Sequence, residues 1–111
     1  MEVFLYRWRL VEGLEGQFTE AWTEVTRFYR EECGSLGSRL HRGDDDVWYA
    51  YAQWRSADDR DSAFAGERLT ESGAQMKAAI KESFPVVRLE IVSDLLVAAD
   101  EQKIALANPD P

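Results

Sequence analysis

Residues 36–54, LGSRLHRGDDDVWYAYAQW, constrain the fold of this chain more than any other stretch. They read as a β-hairpin. Two extended runs flank Gly43-Asp44-Asp45-Asp46, a short acidic, glycine-containing connection of the kind that joins antiparallel strands. A four-residue loop there sets Arg42 opposite Val47, His41 opposite Trp48, Leu40 opposite Tyr49, Arg39 opposite Ala50 and Ser38 opposite Tyr51. Side chains alternate across a strand, so the hairpin has two faces. Leu36, Ser38, Leu40, Val47, Tyr49 and Tyr51 form one; Arg39, His41, Trp48, Ala50, Ala52 and Trp54 form the other. Neither suits open water. A lone hairpin cannot bury both faces, so other elements must cover it. The rest of the chain supplies some of that cover, and a second copy of the chain is expected to supply the remainder.

At 111 residues the chain fits one domain with a moderate core, and 45% hydrophobic and 12% aromatic residues suit a folded protein. The formal net charge of −8 argues against nonspecific binding to nucleic acid or an anionic membrane, since phosphate contacts need clustered Lys and Arg. Cys33 is the only cysteine, which excludes an intrachain disulfide; it reads as a small apolar residue near a helix end. The opening MEVFLYRWRL lacks the basic start and long apolar core of a signal peptide. No apolar run approaches the ~18 residues of a membrane span. A cytoplasmic location is the expectation.

Val3 to Val11 reads as a strand, with Phe4, Tyr6, Trp8 and Leu10 on one face and Val3, Leu5, Arg7 and Arg9 on the other. Leu14 to about Cys33 reads as an amphipathic helix whose apolar stripe is Leu14, Phe18, Trp22, Val25, Phe28 and Tyr29; Gly34 stops it. After the hairpin, Ser56 is placed to cap a helix, with Asp58 and Asp59 in its first turn. Helical pieces are predicted over 57–65 and 70–83, separated near Gly66, with Met76, Ile80 and Phe84 pointing inward. Pro85 ends the second piece. Val86 to Leu96 reads as the last strand. Residues 1–97 then form the domain, and 98–111 a tail able to form a short helix or remain flexible.

The order strand, helix, strand, strand, helix, strand is the split βαβ arrangement of α+β, ferredoxin-like folds: a four-stranded antiparallel sheet with helices on one face and strand order 4-1-3-2. On this reading Phe4, Tyr6, Trp8, Leu36, Leu40, Tyr49, Tyr51, Val87, Leu89 and Ile91 point at the helices. Arg7, Arg39, His41, Trp48, Arg88 and Glu90 fall on the opposite face, with Trp54. That face is too aromatic for solvent and too charged for a dry core. A homodimer through the sheet would cover it, with these residues lining the space between the two copies.

The opening YRWRLVEG at Tyr6 to Gly13, the helix with Phe18 and Trp22, and the strand ending YAQWRS at Tyr51 to Ser56 carry a resemblance. Over roughly Val3 to Leu96 the chain resembles the antibiotic biosynthesis monooxygenase-like group of the dimeric α+β-barrel superfamily. The resemblance implies dimerisation by sheet packing and a cavity between sheet and helices. Some members of the group oxidise aromatic polyketides with O2 and neither metal nor cofactor; others degrade heme. The heme-degrading branch uses a helix-borne histidine, an asparagine on the first strand and a tryptophan in the second helical region. Here that region holds neither His nor Trp, and Tyr6 stands at about the asparagine's place. Heme chemistry is therefore not expected.

A cofactorless oxygenation needs a dry pocket, an anchor for a phenolate or enolate, and groups that manage protons. Tyr6, Tyr49 and Tyr51 are the candidates for anchoring and proton relay; Trp8, Trp22 and Met76 are the candidates for contact with a flat substrate. The same side chains also read as plain core aromatics with polar tips. Arg39 and His41 share a face two positions apart and suit either interface pairing or an anion site in the dimer lumen. There is no Cys/His cluster with zinc spacing and no glycine-rich phosphate loop. Asp44 to Asp46 reads as a solvated turn, so no metal is expected. The leading expectation is a homodimeric monooxygenase-like protein acting on a small aromatic or polycyclic compound. The alternative is a non-catalytic ligand-binding or structural homodimer.

Overall fold

Strand β1, Glu2–Leu10, runs through the middle of the sheet. The computed structural model describes residues 1–66 and 70–97, so the tail expected at 98–111 lies outside the described residues. Helix α1 covers Glu15–Glu32, strand β2 Gly37–Arg42, strand β3 Trp48–Trp54, helix α2 Ala57–Ala65 and helix α3 Thr70–Ala78. Two short strands follow, β4 at Ile80–Ser83 and β5 at Val87–Glu90. The antiparallel order is β2-β3-β1-β4, with β5 also on β1. This is the expected α+β, ferredoxin-like arrangement with its fourth strand in two pieces.

The break in that strand has a local cause. Pro85 has no N–H to give to a ladder. β5 pairs with the first half of β1, Glu2↔Glu90 to Leu5↔Val87, while β4 pairs with the second half, Trp8↔Ser83 to Leu10↔Ile80. The helix predicted over 70–83 therefore stops early, at Ala78. Its composition continues the helical pattern, but the Val11 N–H donates to the Ala79 carbonyl at 2.8 Å and draws the next residues into the sheet. Phe84, expected inward on a helix, instead lies beneath the Arg7 and Arg9 guanidinium groups, 5.5 and 5.9 Å from its ring centre.

Helix boundaries elsewhere follow the sequence. The Gly13 N–H donates to both Glu15 carboxylate oxygens at 2.8 and 3.0 Å. At the other end of α1, Cys33 and Ser35 N–H groups both reach the Tyr29 carbonyl, and Gly34 between them takes φ +80°. Ser56 caps α2 by accepting from the Asp59 N–H at 3.1 Å.

The hairpin is correct in kind and wrong in register by one residue. Gly43 donates to the Val47 carbonyl at 2.8 Å and Asp46 adopts φ +63°, so the loop holds Gly43 through Val47. Asp45 organises it, accepting from the Val47 N–H at 3.0 Å and from the Tyr49 hydroxyl at 2.7 Å. Arg42 then pairs with Trp48, His41 with Tyr49, Leu40 with Ala50 and Ser38 with Ala52. One extra loop residue turns every β3 side chain to the other face. Trp48, Ala50, Ala52 and Trp54 point at the helices; Tyr49 and Tyr51 point away from them.

The core sits between the sheet and the helices in two clusters. One gathers Trp8, Phe18, Ala50 and Ala79. The other gathers Phe4, Trp54 and Ala63. Phe18 is fully buried, edge-on to Trp8 at 5.1 Å and to Trp48 at 6.2 Å. Tyr6 packs against both clusters. Among the described residues no helix is long and apolar enough to cross a membrane.

Candidate functional site

Between the two clusters lies a cavity of about 290 Å³. Its existence follows from β3. Ala50 and Ala52 occupy successive inward positions beside Tyr6 and Phe4, and neither carries a side chain able to reach the helices. They form a low floor. Trp22, Val25, Thr26 and Tyr29 from α1 and Met76 from α3 form the roof; Tyr6, Trp8, Trp54 and Phe64 complete the aromatic walls. Tyr6 and Trp8 stand as parallel rings 5.9 Å apart, a surface suited to a flat ligand. The volume falls at the lower end of the range for small-molecule pockets, and its mostly apolar lining with a few polar groups is typical of them.

Two of the hydroxyls in that lining, those of Ser38 and Tyr6, have defined surroundings. The Ser38 Oγ is buried and has no hydrogen-bond partner among the described residues. The Tyr6 hydroxyl accepts from the Arg60 Nε at 2.9 Å. Burial pushes the Tyr6 hydroxyl above its ordinary pKa, and the Arg60 hydrogen bond and charge pull only part of the way back. At neutral pH Tyr6 is therefore a protonated phenol: a donor rather than a base.

A wider groove of about 650 Å³ shares Trp22, Thr26 and Ser38 with this cavity. It runs between α1 and β2, where Arg27, Arg30 and Arg39 stand with Glu31. In a chain of net charge −8 this mouth is locally cationic.

The structure brings Tyr6, Trp8, Trp22 and Met76 around one cavity. Tyr49 and Tyr51 do not line that cavity, although Tyr51 lines the adjoining groove with Trp22. The hairpin register carries both to the outer face, where Tyr49 donates to Asp45; that bond raises the Tyr49 pKa and lowers that of Asp45. Three residues expected in a dimer lumen also move. Trp48 turns inward against Phe18. Arg88 and Glu90 register with Phe4 and Glu2 on the helix side of the sheet edge, and Arg88 grips the Glu2 carboxylate with two bonds of 2.9 and 3.1 Å. By the same register Val87 and Leu89 face outward, beside Leu5 and Val3. Arg7, Arg39 and His41 remain on the outer face. Asp44 to Asp46 hold the turn, and no cluster of three metal-ligating side chains occurs among the described residues.

Arg60, Ala50 and Ala52 were not legible as site residues. Arg60 sits in the run ADDRD, which reads as a solvated first helical turn, and the alanines face outward in the shorter-loop register. The only available signal was the small-residue alternation Ala50-Tyr51-Ala52 between large aromatics.

Sheet order and helix placement define a fold class: this chain has the fold of solved structures described as antibiotic biosynthesis monooxygenases. One solved structure so described matches with a TM-score of 0.69 at 17% identity, over 84% of this chain and 100% of its own. SnoaB from Streptomyces nogalater, described as a cofactor-independent oxygenase, gives 0.71 at 18% identity over 85% of this chain and 95% of that one. Rv0793 from Mycobacterium tuberculosis gives 0.69 at 14% identity over 86% and 98%. At such identities the likeness is one of fold. No protein-family model matches the chain, and neither does any curated protein.

Proposed function

We propose that this protein is a monooxygenase-like enzyme that binds a small aromatic or polycyclic compound in the cavity above Ala50 and Ala52 and oxidises it with O2, without a cofactor. The observation that carries this reading is the cavity: a flat, aromatic-walled space with the Tyr6 phenol and the Ser38 hydroxyl in its lining. The shared fold with SnoaB, described as a cofactor-independent oxygenase, supports it. A homodimer through the outer sheet face, in the cytoplasm, belongs to the same proposal. Arg7, Arg39 and His41 would line that interface, together with Tyr49 and Tyr51.

The chemistry is modest in its demands. In an anthrone-type ketone the CH2 between the two aryl rings, conjugated through them to the carbonyl, gives a proton to solvent to form an enolate, and one O2 then converts the CH2 to C=O with release of one water. A protonated Tyr6 stabilises the enolate oxygen as charge develops there. Among the described residues, no Asp, Glu, His or Lys lines the cavity. A substrate acidic enough to ionise without a side-chain base suits that lining.

That same absence of a base favours the second reading, a binding protein without turnover. Oxygen uptake with anthrone separates the two. The enzyme reading expects uptake above the spontaneous rate, with anthraquinone as product. Saturable anthrone binding with no added uptake would establish the binding reading instead.

A further inference from the structure

We propose that Arg60 is a positioning residue, which fixes Tyr6 as a hydrogen-bond donor into the cavity and so selects ligands carrying an acceptor oxygen. This rests on the cavity reading above. The Arg60 guanidinium lies between two rings, 4.5 Å from the Phe4 centre and 4.3 Å from the Phe64 centre, and its side chain is only 19% exposed. Two aromatic faces and a partly buried position hold a planar cation with little freedom. From there its Nε donates to the Tyr6 oxygen at 2.9 Å. A phenol has one O–H and two lone pairs. With a cation donating to the oxygen, the Tyr6 proton must point away from Arg60. Among the described residues that proton finds no acceptor, although Tyr6 is half-buried and lines the cavity. A donor cut off from water without a partner is costly, so a ligand that displaces solvent from the cavity must meet this one. Ser38, also in the lining, is a second hydroxyl without a partner. A ligand oxygen supplies what the protein does not.

The test compares two probes of similar shape, menadione, which carries carbonyl acceptors, and methylnaphthalene, which carries none. Wild-type protein is expected to bind menadione about 10-fold more tightly, the worth of one hydrogen bond. Tyr6→Phe should abolish the preference. Arg60→Met should lose most of it, and Arg60→Lys, which keeps a cation between the rings, should recover part. Equal affinities in the wild type, or a preference unmoved by Arg60→Met, would overturn the positioning role while leaving the cavity reading intact. If neither probe binds the wild type, the cavity reading falls and this proposal with it. Should Arg60→Met fail to fold, the comparison of wild type, Tyr6→Phe and Arg60→Lys decides: a preference identical in all three overturns the proposal.

Discussion

Phe18→Ala is expected to lower the stability of this protein by about 3–5 kcal/mol. The side chain is fully buried and stands edge-on to both Trp8 and Trp48, so its removal leaves a hole between a helix and the two central strands. Neither neighbour can follow it into the space. Trp8 is fixed by pairing on both sides of β1, and Trp48 by pairing with Trp8 and Arg42. Domains of this size have only about 5–15 kcal/mol in total, so the variant should sit near its unfolding threshold at room temperature. The urea midpoint reads the effect. A loss below about 1 kcal/mol would show that Phe18 is not the keystone of the larger cluster.

Ala52→Leu is expected to do the opposite: little to the fold and much to the ligand. Ala52 forms part of the cavity floor, so the added carbons enter space that no protein atom fills. Because the added carbons enter open space, the cost should fall below the ~1–3 kcal/mol typical of overpacking a filled core. Menadione binding should weaken about 100-fold, equal to ~2.7 kcal/mol. Oxygen uptake with anthrone should fall to the spontaneous rate. Calorimetric titration and an oxygen electrode measure the two effects. Undiminished binding would place the ligand elsewhere, with the groove between α1 and β2 the next site to test.

What could be read from the chain, and what could not, divides along physical lines. β1 was legible because alternation within one strand depends only on its own residues: Phe4, Tyr6 and Trp8 had to share a face. Ser56 and Gly34 were legible because helix ends are local. The β3 face was not. It depends on whether Val47 belongs to the loop or the strand, and that is decided by Asp46 accepting a left-handed backbone and by the Asp45 carboxylate tying Val47 and Tyr49 together. A single residue there exchanges tyrosines for alanines over the whole inner surface, and with it a filled core for a cavity. The end of α3 was hidden for a different reason. Residues 77–84, KAAIKESF, suit a helix as well as a strand, and only pairing with a strand some seventy positions earlier decides between them. Of the expected site, Tyr6, Trp8, Trp22 and Met76 meet at the cavity; the first three lie on elements whose periodicity was clear, and Met76 lies in the part of α3 that is helical as expected. Arg60 was hidden because a partly buried arginine is recognised by what surrounds it: Phe4 and Tyr6 lie more than fifty positions away, and Phe64, one turn further along α2, gave a single local cue.

A crystal structure of the protein grown with menadione tests the central claim most directly. Flat density is expected over Ala50 and Ala52, roofed by Trp22 and Met76, with a carbonyl oxygen within about 3 Å of the Tyr6 hydroxyl. A dry interior in which Trp22 and Met76 have closed onto the alanine floor would contradict it.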